Sequence, residues 1–161
     1  MSDPQRRLVY EAEHALAGMI DRRLDFPVVS AFGSRVAVPD DRKFGDLESV
    51  QRYVDAVLAL AWVRAGPTGA RPVRVRARAG AGKAEYEFAT ATIAVPPHRV
   101  GGQWAMRELV IVHELAHHLA DAADHGPAFV AQLLELVTEL VGPEAGFLLR
   151  SGLLAAGVGV G

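Results

Sequence analysis

Leu8, Val9, Ala12, Leu16, Met19 and Ile20 recur at helical spacing, with Arg6, Arg7, Glu11 and Glu13 between them. That pattern gathers one apolar face and predicts a first helix. Its start is expected near Asp3, with Pro4 at the first helical position, where a missing N–H does no harm. From Asp25 to Phe44 the chain is interrupted by Pro27, Gly33 and Pro39, so only short extended pieces fit, Arg35–Val38 being the best. Asp46 is a suitable N-cap for a second helix carrying Val50, Tyr53, Val54, Val57, Leu58 and Trp62, which Gly66-Pro67 ends.

The period then changes. Residues 71–78 alternate basic and apolar side chains, as a half-buried strand does, and 79–82 are Ala-Gly-Ala-Gly. Glu85–Val95 forms a second extended run, stopped by Pro96-Pro97, and the two runs together predict a β-hairpin. From Trp104 to Ala120 the spacing is helical but apolar nearly all round, which marks a buried helix. A polar loop with Asp121, Asp124 and Gly126 follows. Pro127 then opens a helix with Phe129, Val130, Leu133, Leu134, Val137 and Val141. Gly142-Pro143 breaks it, and Phe147–Leu154 reads as one more short helix. Trp62 and Trp104 are expected in the core.

Composition narrows the class. At 161 residues, with 50% hydrophobic and 22% charged positions, the chain suits one domain over residues 1–161 with a real core. A formal charge of −2, from 17 Lys+Arg against 19 Asp+Glu, argues against nucleic acid or an anionic membrane as the main partner. With no cysteine, thiol catalysis and Cys-ligated metal sites are excluded. The first ten residues lack a secretory apolar stretch, and the run Leu109–Val112 stops at a histidine. A cytoplasmic protein is therefore the expectation.

The chemistry concentrates in His113-Glu114-Leu115-Ala116-His117, an HExxH string within the buried helix. Residues four apart share a helical face, so His113 and His117 can direct ring nitrogens at one ion. Glu114 is turned about 100° from His113, placing it beside a water on that ion as a general base. Four of the six histidines lie between positions 113 and 125, and two unpaired imidazoles on a buried helix would be costly. Catalytic zinc usually takes three protein ligands plus water. His125, in the loop before Gly126-Pro127, is the leading third. Asp121, one turn beyond His117, is the alternative, either as ligand or as an acceptor orienting His117. Glu135 and Glu139 are expected to face solvent on the following helix. His118 is expected to pair with Glu114 or cap the helix end, and His14 and His98 to lie on the surface.

Met106-Arg107-Glu108-Leu109 running into HELAHH, followed by DHGPAF with Phe129, resembles the SprT-like and WLM branches of small zinc metallopeptidases. It is similar too to an actinobacterial family of HExxH metallohydrolases. The specific overlap spans about 30 residues, Trp104 to Leu134. The resemblance implies zinc, ligands at His113, His117 and His125, and Glu114 as general base. It also implies an α+β, minimal zincin-like fold, with a small antiparallel sheet packed on the central HExxH helix and C-terminal helices. Two departures stand out: no Cys-based zinc ribbon follows, and the spacing is not the metzincin HExxHxxGxxH.

The leading expectation is thus a zinc-dependent hydrolase acting on a peptide or protein substrate. Glu85–Val95 would offer an edge to which an extended peptide adds, and Tyr86, His118 and Arg150 are open candidates for oxyanion donor. A nucleic-acid-associated protease is the first alternative, resting on a basic face of Arg71, Arg74, Arg76, Arg78 and Lys83. A non-enzymatic, zinc-stabilised binding module is the second.

Overall fold

The computed structural model describes residues 2–67 and 71–160. In chain order the elements are α1 (Arg6–Asp21), β1 (Val28–Ala31), β2 (Ser34–Ala37), α2 (Leu47–Leu58), α3 (Ala61–Arg64), β3 (Arg74–Ala77), β4 (Glu85–Glu87), β5 (Thr92–Val95), α4 (Glu108–Ala120), α5 (Pro127–Leu136) and α6 (Pro143–Ala155). The class is α+β. The chain forms two compact units, Met1–Asp41 with Ala122–Gly161, and Arg42–Asp121.

In the first unit α1 buries Val9, Ala12, Leu16 and Ile20, the predicted apolar face, and packs on α6. It starts at Arg6, later than the Asp3-Pro4 expectation, because the Asp3 carboxylate is engaged by His125 rather than by the helix. β1 and β2 pair as an antiparallel hairpin across Phe32 (φ 47°) and Gly33 (φ 76°). Two consecutive left-handed residues give the turn whose twist matches its flanking strands, and glycine adopts that backbone without cost. Pro127 opens α5 as expected, with Gly126 at the N-cap, and α5 runs on into a π-helical turn, Val137–Val141. The Gly142-Pro143 break is where predicted, but α6 starts directly after it and is longer than Phe147–Leu154. Gly146 lets α6 approach that π turn, since a Cβ there would meet Thr138 Oγ1 at 2.0 Å.

In the second unit Asp46 caps α2, its Oδ1 accepting from Ser49 N at 2.8 Å and Ser49 Oγ at 2.7 Å. The helix ends at Leu58, and Trp62 lies on the separate short α3. Trp62 and Trp104 are 37% and 44% exposed, so neither is a core residue. The Trp104 indole instead donates to Ala81 O at 2.8 Å.

The sheet corrects the hairpin expectation. Phe88–Ala91 is a turn, with Ala91 at φ 48°, so Glu85–Val95 is two strands rather than one. β4 pairs antiparallel with β5, and β3 lies on the other side of β5 in parallel, giving the order β3-β5-β4. The sheet is therefore mixed, not antiparallel. All four residues of β5 are buried, which fits a short apolar run in a central strand. β5 therefore has no free edge for an added peptide, whereas β4, from the same run, is an edge strand of the sheet. The outer edge of β3 is met by Gln51 of α2, which donates to Val73 O at 2.9 Å and accepts from Val75 N at 2.7 Å. The sheet packs on α4 through β4 and β5. Among the described residues no helix is long and apolar enough to cross a membrane.

Candidate metal centre

Ten of the thirteen residues of α4 are buried, including His113, Glu114, His117 and His118. Five backbone and side-chain hydrogen bonds secure its start. Glu108, 1% exposed, accepts from Arg42 N at 3.1 Å, from Arg42 Nη1 at 2.7 Å and from the Tyr53 hydroxyl. Its own N–H donates to Arg42 O at 2.8 Å, and Phe44 N donates to Met106 O at 2.9 Å. A buried carboxylate with these partners is adequately solvated by the protein, and it ties the start of the helix to α2.

The spacing of four then works as expected. The His113 and His117 rings sit 5.1 Å apart, at 71° to each other, with side chains buried. The edge of Phe88 faces His117 at 6.2 Å. His118 points to the sheet. It is fully buried, with Nδ1 2.7 Å from the Tyr86 hydroxyl. It therefore neither caps the helix nor stands near solvent, contrary to the sequence expectation. Burial, reinforced by the Arg71 charge, pushes its pKa below the ordinary histidine value, and burial raises that of Tyr86. Each is committed to the other, so neither is placed to meet an oxyanion. Arg150, the third candidate, is exposed on α6.

Asp121 ends α4 in the left-handed conformation, φ 50°, and is exposed. Asp is one of the few residues that take this position without a large penalty. The helix stops at this residue.

His125 follows in the loop before α5 and is 4% exposed. Its Nδ1 lies 2.7 Å from Asp3 Oδ2, and its backbone N donates to Asp3 Oδ1 at 3.2 Å. The Gln5 side chain donates to His125 O at 2.7 Å. Tyr10 and Phe129 flank the ring, with centroids at 5.3 and 4.8 Å. Partial burial pushes the Asp3 carboxyl up, but the bonds from the His125 side chain and backbone outweigh this and hold it below the usual carboxylate value.

His113, His117 and His125 are buried, and one ligating atom from each lies within 4.8 Å of the others, close enough to bind one metal ion. Asp121 is not part of this group, and Glu135 and Glu139 face solvent as expected. His14 and His98 are exposed, the latter bonded through Nε2 to Phe44 O at 2.8 Å. The donor set itself is a test of fit. Three imidazoles without thiolate suit a borderline divalent ion such as zinc, and burial disfavours leaving them protonated and unpaired.

Part of the expected basic face is paired with acids, while Arg71 and Arg74 are exposed. Arg76 makes two bonds to Glu87, at 3.1 and 2.6 Å, while Arg78 and Lys83 both reach Glu85, at 3.5 and 3.2 Å. These pairings lower the Glu85 and Glu87 pKa values and raise that of Arg76.

Asp3, Gln5 and Glu108 are the residues that sequence reasoning missed. Asp3-Pro4-Gln5 carries the ordinary signal of a helix start, and nothing local links it to His125. Glu108 had a usable signal, an acid one residue into an apolar helix, which burial then obliges to find partners. No protein-family model matches the chain, and no curated protein or solved structure is significantly similar to it.

Proposed function

We propose that this protein is a zinc-dependent hydrolase of peptide bonds, with a minimal zincin-like fold and relatedness to the SprT-like and WLM metallopeptidases. The observation that carries the reading is the association of three buried, mutually close histidines with Glu114, itself 5% exposed and one residue from His113. His113, His117 and His125 would hold the ion. Bound there, zinc would supply Lewis acidity, making a water acidic near neutral pH and polarising a carbonyl. Glu114 would accept the proton of the attacking water and return it to the leaving nitrogen, as a positioned general base does. His118, sealed against Tyr86, would stiffen the helix rather than take part. Its burial at the sheet favours that division of labour.

Among the described residues the group has three members rather than four, which also favours an open, catalytic site over a closed structural one. The charge pairs count against the nucleic-acid-associated alternative, because Glu85 and Glu87 offset two of the three charges on Arg76, Arg78 and Lys83.

Glu114→Gln tests the chemistry. The amide keeps the shape but cannot take the proton. Zinc content and far-UV circular dichroism are expected to match the parent, while cleavage of a quenched fluorescent peptide library falls about 10²–10⁴-fold. Cleavage at the parental rate by this variant, or none by the zinc-loaded parent, would overturn the assignment.

A further inference from the structure

We infer that Asp3 is a positioning residue for the third metal ligand: its carboxylate holds His125 with Nδ1 protonated and Nε2 presented to the ion. The inference rests on the metal reading above and goes beyond it, since that reading needs only His125 itself.

Three groups of His125 are taken up by one short segment of chain. Asp3 Oδ2 faces ring Nδ1 at 2.7 Å, Asp3 Oδ1 accepts from the backbone N at 3.2 Å, and Gln5 Nε2 donates to the backbone O at 2.7 Å. An ionised carboxylate can only accept, so Nδ1 must carry the hydrogen. In a neutral imidazole the lone pair then belongs to Nε2, the one nitrogen left for a metal. The same bonds fix the ring plane, which Tyr10 and Phe129 also bracket. His125 is a loop residue, and without these contacts its side chain would have to lose its rotamer freedom at the moment of binding. A carboxylate behind the ligand also makes the imidazole a stronger donor.

A helix-capping role does not account for Asp3. α1 starts at Arg6, its N-cap is Gln5, and no side chain caps it.

The test uses the full chain with zinc as the probe. Zinc affinity is measured by competition with a chromophoric chelator for the parent, Asp3→Asn, Asp3→Ala and His125→Ala. Nitrogen-15 NMR of the zinc-loaded parent and of Asp3→Ala identifies the protonated ring nitrogen of His125. Asp3→Ala is expected to weaken zinc binding about 10- to 100-fold. Asp3→Asn, whose carbonyl still accepts but carries no charge, should fall between it and the parent. The parent should show a hydrogen-bonded His125 Nδ1 proton, lost or rapidly exchanging in Asp3→Ala. A purely structural tether would show the same Nδ1 proton in the parent but leave zinc affinity unchanged in Asp3→Ala.

Zinc affinity unchanged in Asp3→Ala, or ligation through Nδ1, would overturn the inference while leaving the metal site intact. If Asp3→Ala does not fold, Asp3→Asn and the parent spectrum decide. A parent that binds no zinc, or a His125→Ala variant that binds it equally well, removes the metal reading itself and the role of Asp3 with it.

Discussion

Replacing His125 and Asp121 in turn separates the two sources of a third ligand that the sequence offered. Four-ligand zinc sites in small domains bind with about 10–16 kcal/mol, so an average ligand contributes about 3–4 kcal/mol. That corresponds to roughly 10²–10³ in affinity. His125 is 4% exposed and belongs to the histidine group, so His125→Ala should lose that full amount. Asp121 is exposed, outside the group, and at φ 50° in a conformation that asparagine tolerates equally well. An exposed change of this kind stays within about 0.5 kcal/mol, which is about twofold in affinity. Chelator competition at fixed pH and ionic strength measures both, with circular dichroism to confirm that each variant is folded. The reasoning is refuted if Asp121→Asn empties the site while His125→Ala holds zinc like the parent.

Tyr86→Phe removes the hydroxyl that sits 2.7 Å from the Nδ1 of fully buried His118, so urea unfolding should show a loss of about 1–3 kcal/mol with zinc affinity unchanged. A variant as stable as the parent would mean that the hydroxyl contributes nothing there. Duplex DNA should not bind with sub-micromolar affinity near 150 mM salt, because Arg76, Arg78 and Lys83 are already paired with Glu85 and Glu87. Tight, salt-sensitive binding abolished by replacing Arg74, Arg76 and Arg78 would restore the nucleic-acid alternative.

The features legible in the sequence are those decided within about one helical turn. HExxH places His113 and His117 on one face because residues four apart are neighbours on any α-helix. Asp46 caps α2, and Pro127 opens α5, through backbone geometry that involves only the next three residues. The all-round apolar pattern of 104–120 likewise announced a buried helix, which forms over Glu108–Ala120, while Gln103–Ala105 makes a separate short turn and the helix starts four residues later than Trp104.

Tertiary structure alone decided the rest. Alternation marks a strand but carries no record of its partner, so β3 could not be known to lie parallel to β5 instead of folding back on it. The turn at Phe88–Ala91 was hidden for the same reason: its residues suit a strand, and Ala91 takes a left-handed backbone only because β4 and β5 close around it. His118 was expected to pair with Glu114 or cap the helix end, and only packing against the sheet gave it Tyr86. Asp3 and His125 are 122 positions apart, and only the fold brings them to hydrogen-bond distance. Local backbone preferences act over a few residues, whereas pairing and burial are settled by which distant surfaces exclude water together. The chain therefore shows two of the three clustered histidines outright and suggests the third, and the fold supplies the Asp3 carboxylate that bonds His125.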